Sequence, residues 1–101
     1  MYARMSIFEG ATDPDRMDEG LRHVREQTLP QLRQQDGFKG LIALGDRQTG
    51  KSVGITLWVD EAAMRASEEE ANRMREESAE AADDTIANVE RYEVAIFEVE
   101  S

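Results

Sequence analysis

Residues Gly45 to Asp60 read "GDRQTGKSVGITLWVD", and the way this stretch divides decides the fold. Its first eight residues satisfy the phosphate-loop pattern G-x-x-x-x-G-K-[ST]. That pattern works only when a helix starts directly after it, so that backbone N–H groups and the helix N-terminus converge on the phosphates. Here no helix pattern follows. Val53, Ile55, Leu57 and Val59 alternate with Gly54, Thr56 and Trp58, which is strand periodicity. "ITLWVD" mimics the apolar strand and aspartate of a Walker B segment, but it leaves no room for the intervening helix. The polar "DRQTG" therefore reads as the tip of a hairpin joining "FKGLIALG" (38–45) to "KSVGITLWV" (51–59).

Outward from that hairpin the other elements fall into place. Residues 2–9, "YARMSIFE", alternate as a strand, with Tyr2, Arg4 and Ser6 on one face and Ala3, Met5 and Ile7 on the other. Asp13 followed by Pro14 marks a helix start. Met17, Leu21, Val24, Thr28 and Leu32 share one side of that helix, Pro30 is expected to kink its last turns, and Gly37 ends it. Asp60 caps a second helix running to about Asp83, with an inward stripe of Ala63, Met64, Ser67, Ala71, Met74, Ser78 and Ala82. The opposite side carries Glu61, Arg65, Glu69, Arg73 and Glu77, an alternating solvated ladder. "NVERYEVAIFEVE" (88–100) closes the chain as a long strand.

The order is β-α-β-β-α-β, a ferredoxin-like α+β fold in a single domain over residues 1–101, with a four-stranded antiparallel sheet and both helices on one face. The second strand sets Phe38, Ile42 and Leu44 against Leu41 and Ala43, and the last strand is apolar on both sides too. Helices cover only one face, so the other is expected to meet a second copy, giving a homodimer joined sheet to sheet.

Composition narrows the partners. Among 101 residues, 22 acidic side chains against 12 basic give a net charge of -10, which disfavours nucleic acid and anionic membrane surfaces. There is no cysteine, hence no disulfide or thiolate site, and His23 is the one imidazole. It lies off the Met17–Leu21–Val24 stripe and reads as a surface residue. "DPDRMDEG" begins like a calcium loop, but Met17 stands where an oxygen ligand is needed, so no metal site is expected. No apolar run reaches signal-peptide or membrane-span length, and the expectation is a cytoplasmic protein.

"GFKGLIAL", "TLWVDEAAM" and "VERYEVAIFEV" together resemble the antibiotic biosynthesis monooxygenase-like domains of the dimeric α+β barrel superfamily, over nearly the whole chain. The resemblance implies a homodimer with a ligand pocket between each sheet and its own helices. It also implies either a cofactor-independent monooxygenase acting on a small aromatic or quinone-like compound, or a non-catalytic module binding a small apolar ligand. Haem-degrading relatives use an Asn on the first strand and a Trp and His on the second helix. None of these is present here, so no cofactor is expected.

Candidate substrate-binding residues are Trp58, Thr56, Ser67, Met64, Met74 and Tyr92, with no catalytic base identified. Arg4 either stabilises an enolate-like anion in the pocket or forms a salt bridge to a partner subunit. The small residues along the second helix either let helix and sheet approach closely or leave room for an apolar ligand.

Overall fold

The computed structural model describes residues 1–10 and 13–100. The elements are β1 (Tyr2–Glu9), α1 (Pro14–His23), a π-helical turn (Val24–Thr28), α2 (Leu29–Arg33), β2 (Phe38–Asp46), β3 (Lys51–Trp58), α3 (Glu61–Ala66), α4 (Glu68–Ala82) and β4 (Thr85–Glu93). All sheet pairings are antiparallel in the order β2-β3-β1-β4, so the ferredoxin-like β-α-β-β-α-β arrangement is observed.

The Walker-like segment is a hairpin tip. Asp46 pairs with Lys51, and its carboxylate accepts from the N–H groups of Gln48 at 2.9 Å and Thr49 at 3.4 Å. Gly50 closes the loop at φ 76°, donating its N–H to the Asp46 carbonyl at 2.9 Å. Only glycine adopts that backbone at little cost. The N–H groups a nucleotide would need are thus spent within the turn.

Both helix starts behave as their sequences require. The Asp13 carboxylate accepts from Asp15 N–H, and that of Asp60 from Ala63 N–H at 2.8 Å. The first helix does not simply kink at Pro30. A proline ring clashes with the carbonyl four residues back and donates no hydrogen bond to it. The backbone widens one turn earlier, where Leu29 N–H reaches the Val24 carbonyl.

The second helix is not continuous to Asp83 but is broken at Ser67, whose φ of -89° and ψ of 0° leave the helical range. The cause lies at the Met64 carbonyl, which accepts from Ser67 Oγ at 2.6 Å and from Arg4 Nη2 at 2.6 Å. The break separates Arg65 from Glu69 in the expected charge ladder, while within α4 the ladder holds in part. Arg65 pairs with Glu61, but Arg73 pairs with Glu70 and Glu77 rather than with Glu69.

Two strand expectations also change. A register shift between Phe38 and Gly40 turns Phe38 to the helix-covered face, opposite Trp58, instead of leaving it beside Ile42 and Leu44. Its ring meets Trp58 edge-on at 5.6 Å. β4 begins earlier than expected, at Thr85, and ends at Glu93. Its pairing with β1 runs from Glu9↔Thr85 to Tyr2↔Glu93, with one further bond from Val94 N–H to the Met1 carbonyl. Ile96, Phe97 and Val99 follow as exposed chain with no strand pairing.

The sheet's other face stays open. Ile42, Leu44 and Tyr92 are among its exposed large side chains.

Candidate functional site

Side-chain size along the helix-covered face determines where space is left. On β3 that face runs Trp58, Thr56, Gly54, Ser52. On β2 it runs Phe38, Leu41, Ala43, Gly45, and on β1 Tyr2, Arg4, Ser6, Phe8. Large residues gather at one end, where Trp58 is fully buried in a core with Leu32, Met64 and Met74. The interior is close-packed there. Along β2 and β3 the side chains then shrink, and a Cβ built on Gly54 would meet nothing within 4 Å.

The result is a cavity of about 110 Å³ between sheet and helices. That is far more than the roughly 10–15 Å³ one water requires. Leu21, Val24 and Thr28 reach it from the first helical segment, Ala71, Met74, Arg75 and Ser78 from α4, and Ser6, Leu41, Ala43 and Thr56 from the strands. The π-helical turn thus helps to form the wall, and Thr28 Oγ1 lies 3.4 Å from Ser78 Oγ across it.

The small stripe does two things, one of them not among the alternatives of the sequence, which set close helix–sheet approach against room for a ligand. At Ala82 it lets helices close: a Cβ on Gly20 would sit 2.7 Å from the Ala82 Cβ. At Ala71 and Ser78 it leaves space.

Of the six candidate binding residues, Thr56 and Met74 line this cavity. Trp58 lies behind the wall, its Nε1–H donating to Thr56 Oγ1 at 3.0 Å and so orienting that hydroxyl. Met64 is core. Ser67 is occupied by Arg4 Nη2 at 2.9 Å and by the Met64 carbonyl. Tyr92 does not join them. Its register opposite Ala3 puts it on the open face, half exposed, with its hydroxyl donating to Glu90 at 2.5 Å. His23 is half-buried rather than solvated, and its Nε2 is enclosed without a partner among the described residues.

The charged groups are the unexpected part of the site. Arg4 faces the helices and the cavity, only 2% exposed, with its guanidinium carbon 5.7 Å from the centre of the Trp58 ring. Its Nη2 ties Met64, Ser67 and Glu68 together, the last at 2.9 Å, while its Nε is buried with no partner among the described residues. Glu68 also accepts two bonds of 2.8 Å from Arg91. Those bonds, reinforced by Arg4, hold its carboxyl down at about 2.

Arg75 was missed by the sequence reading. It is buried, lines the cavity, and donates to Asn72 Oδ1 and, at the 3.5 Å limit, to Ser6 Oγ. Burial and the neighbouring Arg4 charge push its pKa down. The signal was present in the spacing: position 75 is four after Ala71 and three before Ser78, an inward place on the helix. Its charge concealed it.

This antiparallel ferredoxin-like sheet, with a mostly apolar cavity beneath its own helices, has the fold of antibiotic biosynthesis monooxygenase-like proteins. Solved structures agree. The monooxygenase of the Streptomyces coelicolor gene ActVA-Orf6, solved with nanaomycin D, superposes with a TM-score of 0.71 over 99% of this chain and 92% of that one, at 13% identity. SnoaB, a cofactor-independent oxygenase of Streptomyces nogalater, gives 0.61 over 98% and 97%, at 17% identity. At such identities the likeness is one of fold.

No family model matches the sequence. Among curated proteins, the uncharacterised Rv2557 of Mycobacterium tuberculosis is 35% identical over 95 residues, and Rv2558 of the same organism 34% over 97. The alignments cover 94% and 96% of this chain but 41% and 40% of those proteins, so the chain spans about two fifths of their length.

Proposed function

We propose that this chain is a cofactor-independent monooxygenase-like domain. It takes a small aromatic or quinone-like compound into the cavity between sheet and helices, and works as a cytoplasmic homodimer. The observation that carries this reading is the cavity itself, an apolar space with hydroxyl groups and two guanidiniums at its wall, in a fold shared with named oxygenases.

The chemistry asked of the protein is modest. An acidic C–H of an anthrone-type substrate loses its proton, and the carbanion gives one electron to O2. The resulting pair combines at carbon as a peroxide, and loss of water leaves a carbonyl. One CH2 and one O2 become one C=O and one H2O. Stabilising the enolate form of the substrate is the step a protein accelerates, and cationic groups at a dry wall suit it. Arg4 and Arg75 hold those positions, with Thr56 and Met74 shaping the wall.

One observation favours a non-catalytic alternative, in which the domain binds a small apolar ligand without turnover. The titratable groups lining the cavity are Arg4 and Arg75, and neither is a base at neutral pH. Oxygen uptake separates the two readings. Protein-dependent consumption of O2 with an anthrone substrate, using dialysed and metal-free protein, supports the oxygenase. Binding without uptake leaves the ligand-binding module.

The homodimer is supported by the open sheet face with Ile42 and Leu44, and by the unpaired apolar residues after β4. Native mass spectrometry tests it. A dimer is expected, and a monomer at micromolar concentration overturns it.

A further inference from the structure

The cavity carries a charge imbalance that an apolar ligand alone leaves unanswered. Two guanidiniums, Arg4 and Arg75, line it, and Glu68 pairs with Arg4 and, farther out, with Arg91, which is 39% exposed. Glu68 spends both oxygens on Arg4 and Arg91. Arg75 forms no ion pair among the described residues, and the carboxylate next to it in sequence, Glu76, is exposed. Two buried guanidiniums at one cavity stand out in a protein whose net charge is -10.

Guanidinium is rarely buried without a partner, because leaving water costs several kcal/mol that only an opposite charge or a full set of acceptors returns. The acceptors here are few. Arg75 reaches an amide oxygen and, at the distance limit, one hydroxyl, and Arg4 Nε reaches none among the described residues. Both residues line the same cavity, whose remaining wall is largely Leu, Val, Ala and Met.

We infer that the cavity selects an anion: a ligand with an apolar, ring-sized body and a single oxyanion group, such as a carboxylate, seated against the Arg75 guanidinium, with the Arg4 charge beside it. This inference rests on the proposed ligand-binding cavity and narrows what it accepts. The planar guanidinium fork suits a carboxylate or delocalised enolate, two oxygens or one, better than a neutral carbonyl. Arg75 has no ion-pair partner among the described residues, Glu68 and Glu76 acting on it only from a distance, while Arg4 is already anchored through Nη2. The apolar body then fills the space beside Gly54, Ala43 and Ala71.

Paired probes of the same shape and different charge test this. Calorimetric titration of the intact protein with 1-naphthoate and with 1-naphthamide at neutral pH is expected to show the anion binding at least about tenfold more tightly. Arg75→Gln should reduce that preference to less than about threefold, and Arg75→Lys should retain part of it. Equal affinity of the two probes for the wild type overturns the anion site and leaves the apolar cavity standing. Binding of neither at millimolar concentration overturns both. A preference undiminished in Arg75→Gln also sinks the assignment, because the charge is then read elsewhere. Should Arg75→Gln fail to fold, Arg75→Lys and the wild-type pair still decide.

Discussion

Arg4 on β1 donates to the main-chain carbonyl of Met64 at 2.6 Å, and this bond spans the sheet and the broken second helix. A side chain 60 positions away thereby takes a carbonyl that would otherwise continue the helix. The same guanidinium holds Ser67 and Glu68, so α3 and α4 are set at their angle by β1.

Replacing this residue tests how much the junction depends on it. Arg4→Met keeps the length of the stem and removes three hydrogen bonds, two of them to buried groups. A loss of about 1–3 kcal/mol is expected in urea unfolding. Arg91→Ala removes a partner of the same carboxylate at a site 39% exposed, and should cost under about 1 kcal/mol. Equal losses would show that the bonds to Met64 and Ser67 contribute nothing beyond the ion pair.

Acid should find the same cluster. The Glu68 carboxyl, ordinarily near 4.5, is held at about 2 by Arg91 and Arg4. A depressed folded pKa means the stabilisation is full above about 4.5 and fades as pH falls toward 2. Because the group is partly open to water, the loss should be about 1–2 kcal/mol after screening. Glu68→Gln should flatten the stability profile across that window relative to wild type. Parallel profiles for the two proteins would contradict the assignment.

Most of the fold was legible because it rests on local signals. Alternation in "SVGITLWV" ruled out the phosphate loop, and Asp13 and Asp60 announced both helix starts. What stayed hidden depends on groups distant in sequence. At the break the Met64 carbonyl meets Arg4, at the bulge Phe38 comes to lie opposite Trp58, and β4 is paired with β1 as far as Glu93, all contacts between residues far apart in sequence. The site was legible in part for the same reason. Small residues on the second helix pointed to space, but an arginine at an inward position reads as a surface charge until the structure encloses it.

Glycines with different surroundings give a contrast within one protein. Gly37 has φ 82°, and a Cβ there would lie 2.5 Å from the Ala63 Cβ and 2.9 Å from Val59 Cγ1. Gly37→Ala therefore meets both backbone strain and a clash with the start of α3. It should lower stability by about 2 kcal/mol or more, seen as a fall in Tm. A change under about 0.5 kcal/mol would mean that the turn relaxes without cost.

Gly54 is the opposite case and gives the most direct test of the cavity. Its backbone is ordinary strand, it faces Ser6 across the ladder, and nothing stands within 4 Å of the position a Cβ would take. Gly54→Val adds a β-branched side chain where strands favour one and fills space that is empty. Stability should hold or rise by about 0.5–1 kcal/mol, since a flexible residue is replaced and the added Cβ meets no atom. Binding of 1-naphthoate should weaken at least about tenfold, because the added methyl groups occupy the volume its ring needs. Both readouts come from one variant, so a folding defect cannot pass for a binding defect. Undiminished binding by a stable Gly54→Val protein would place the ligand elsewhere, with the open sheet face carrying Ile42 and Leu44 the next surface to probe.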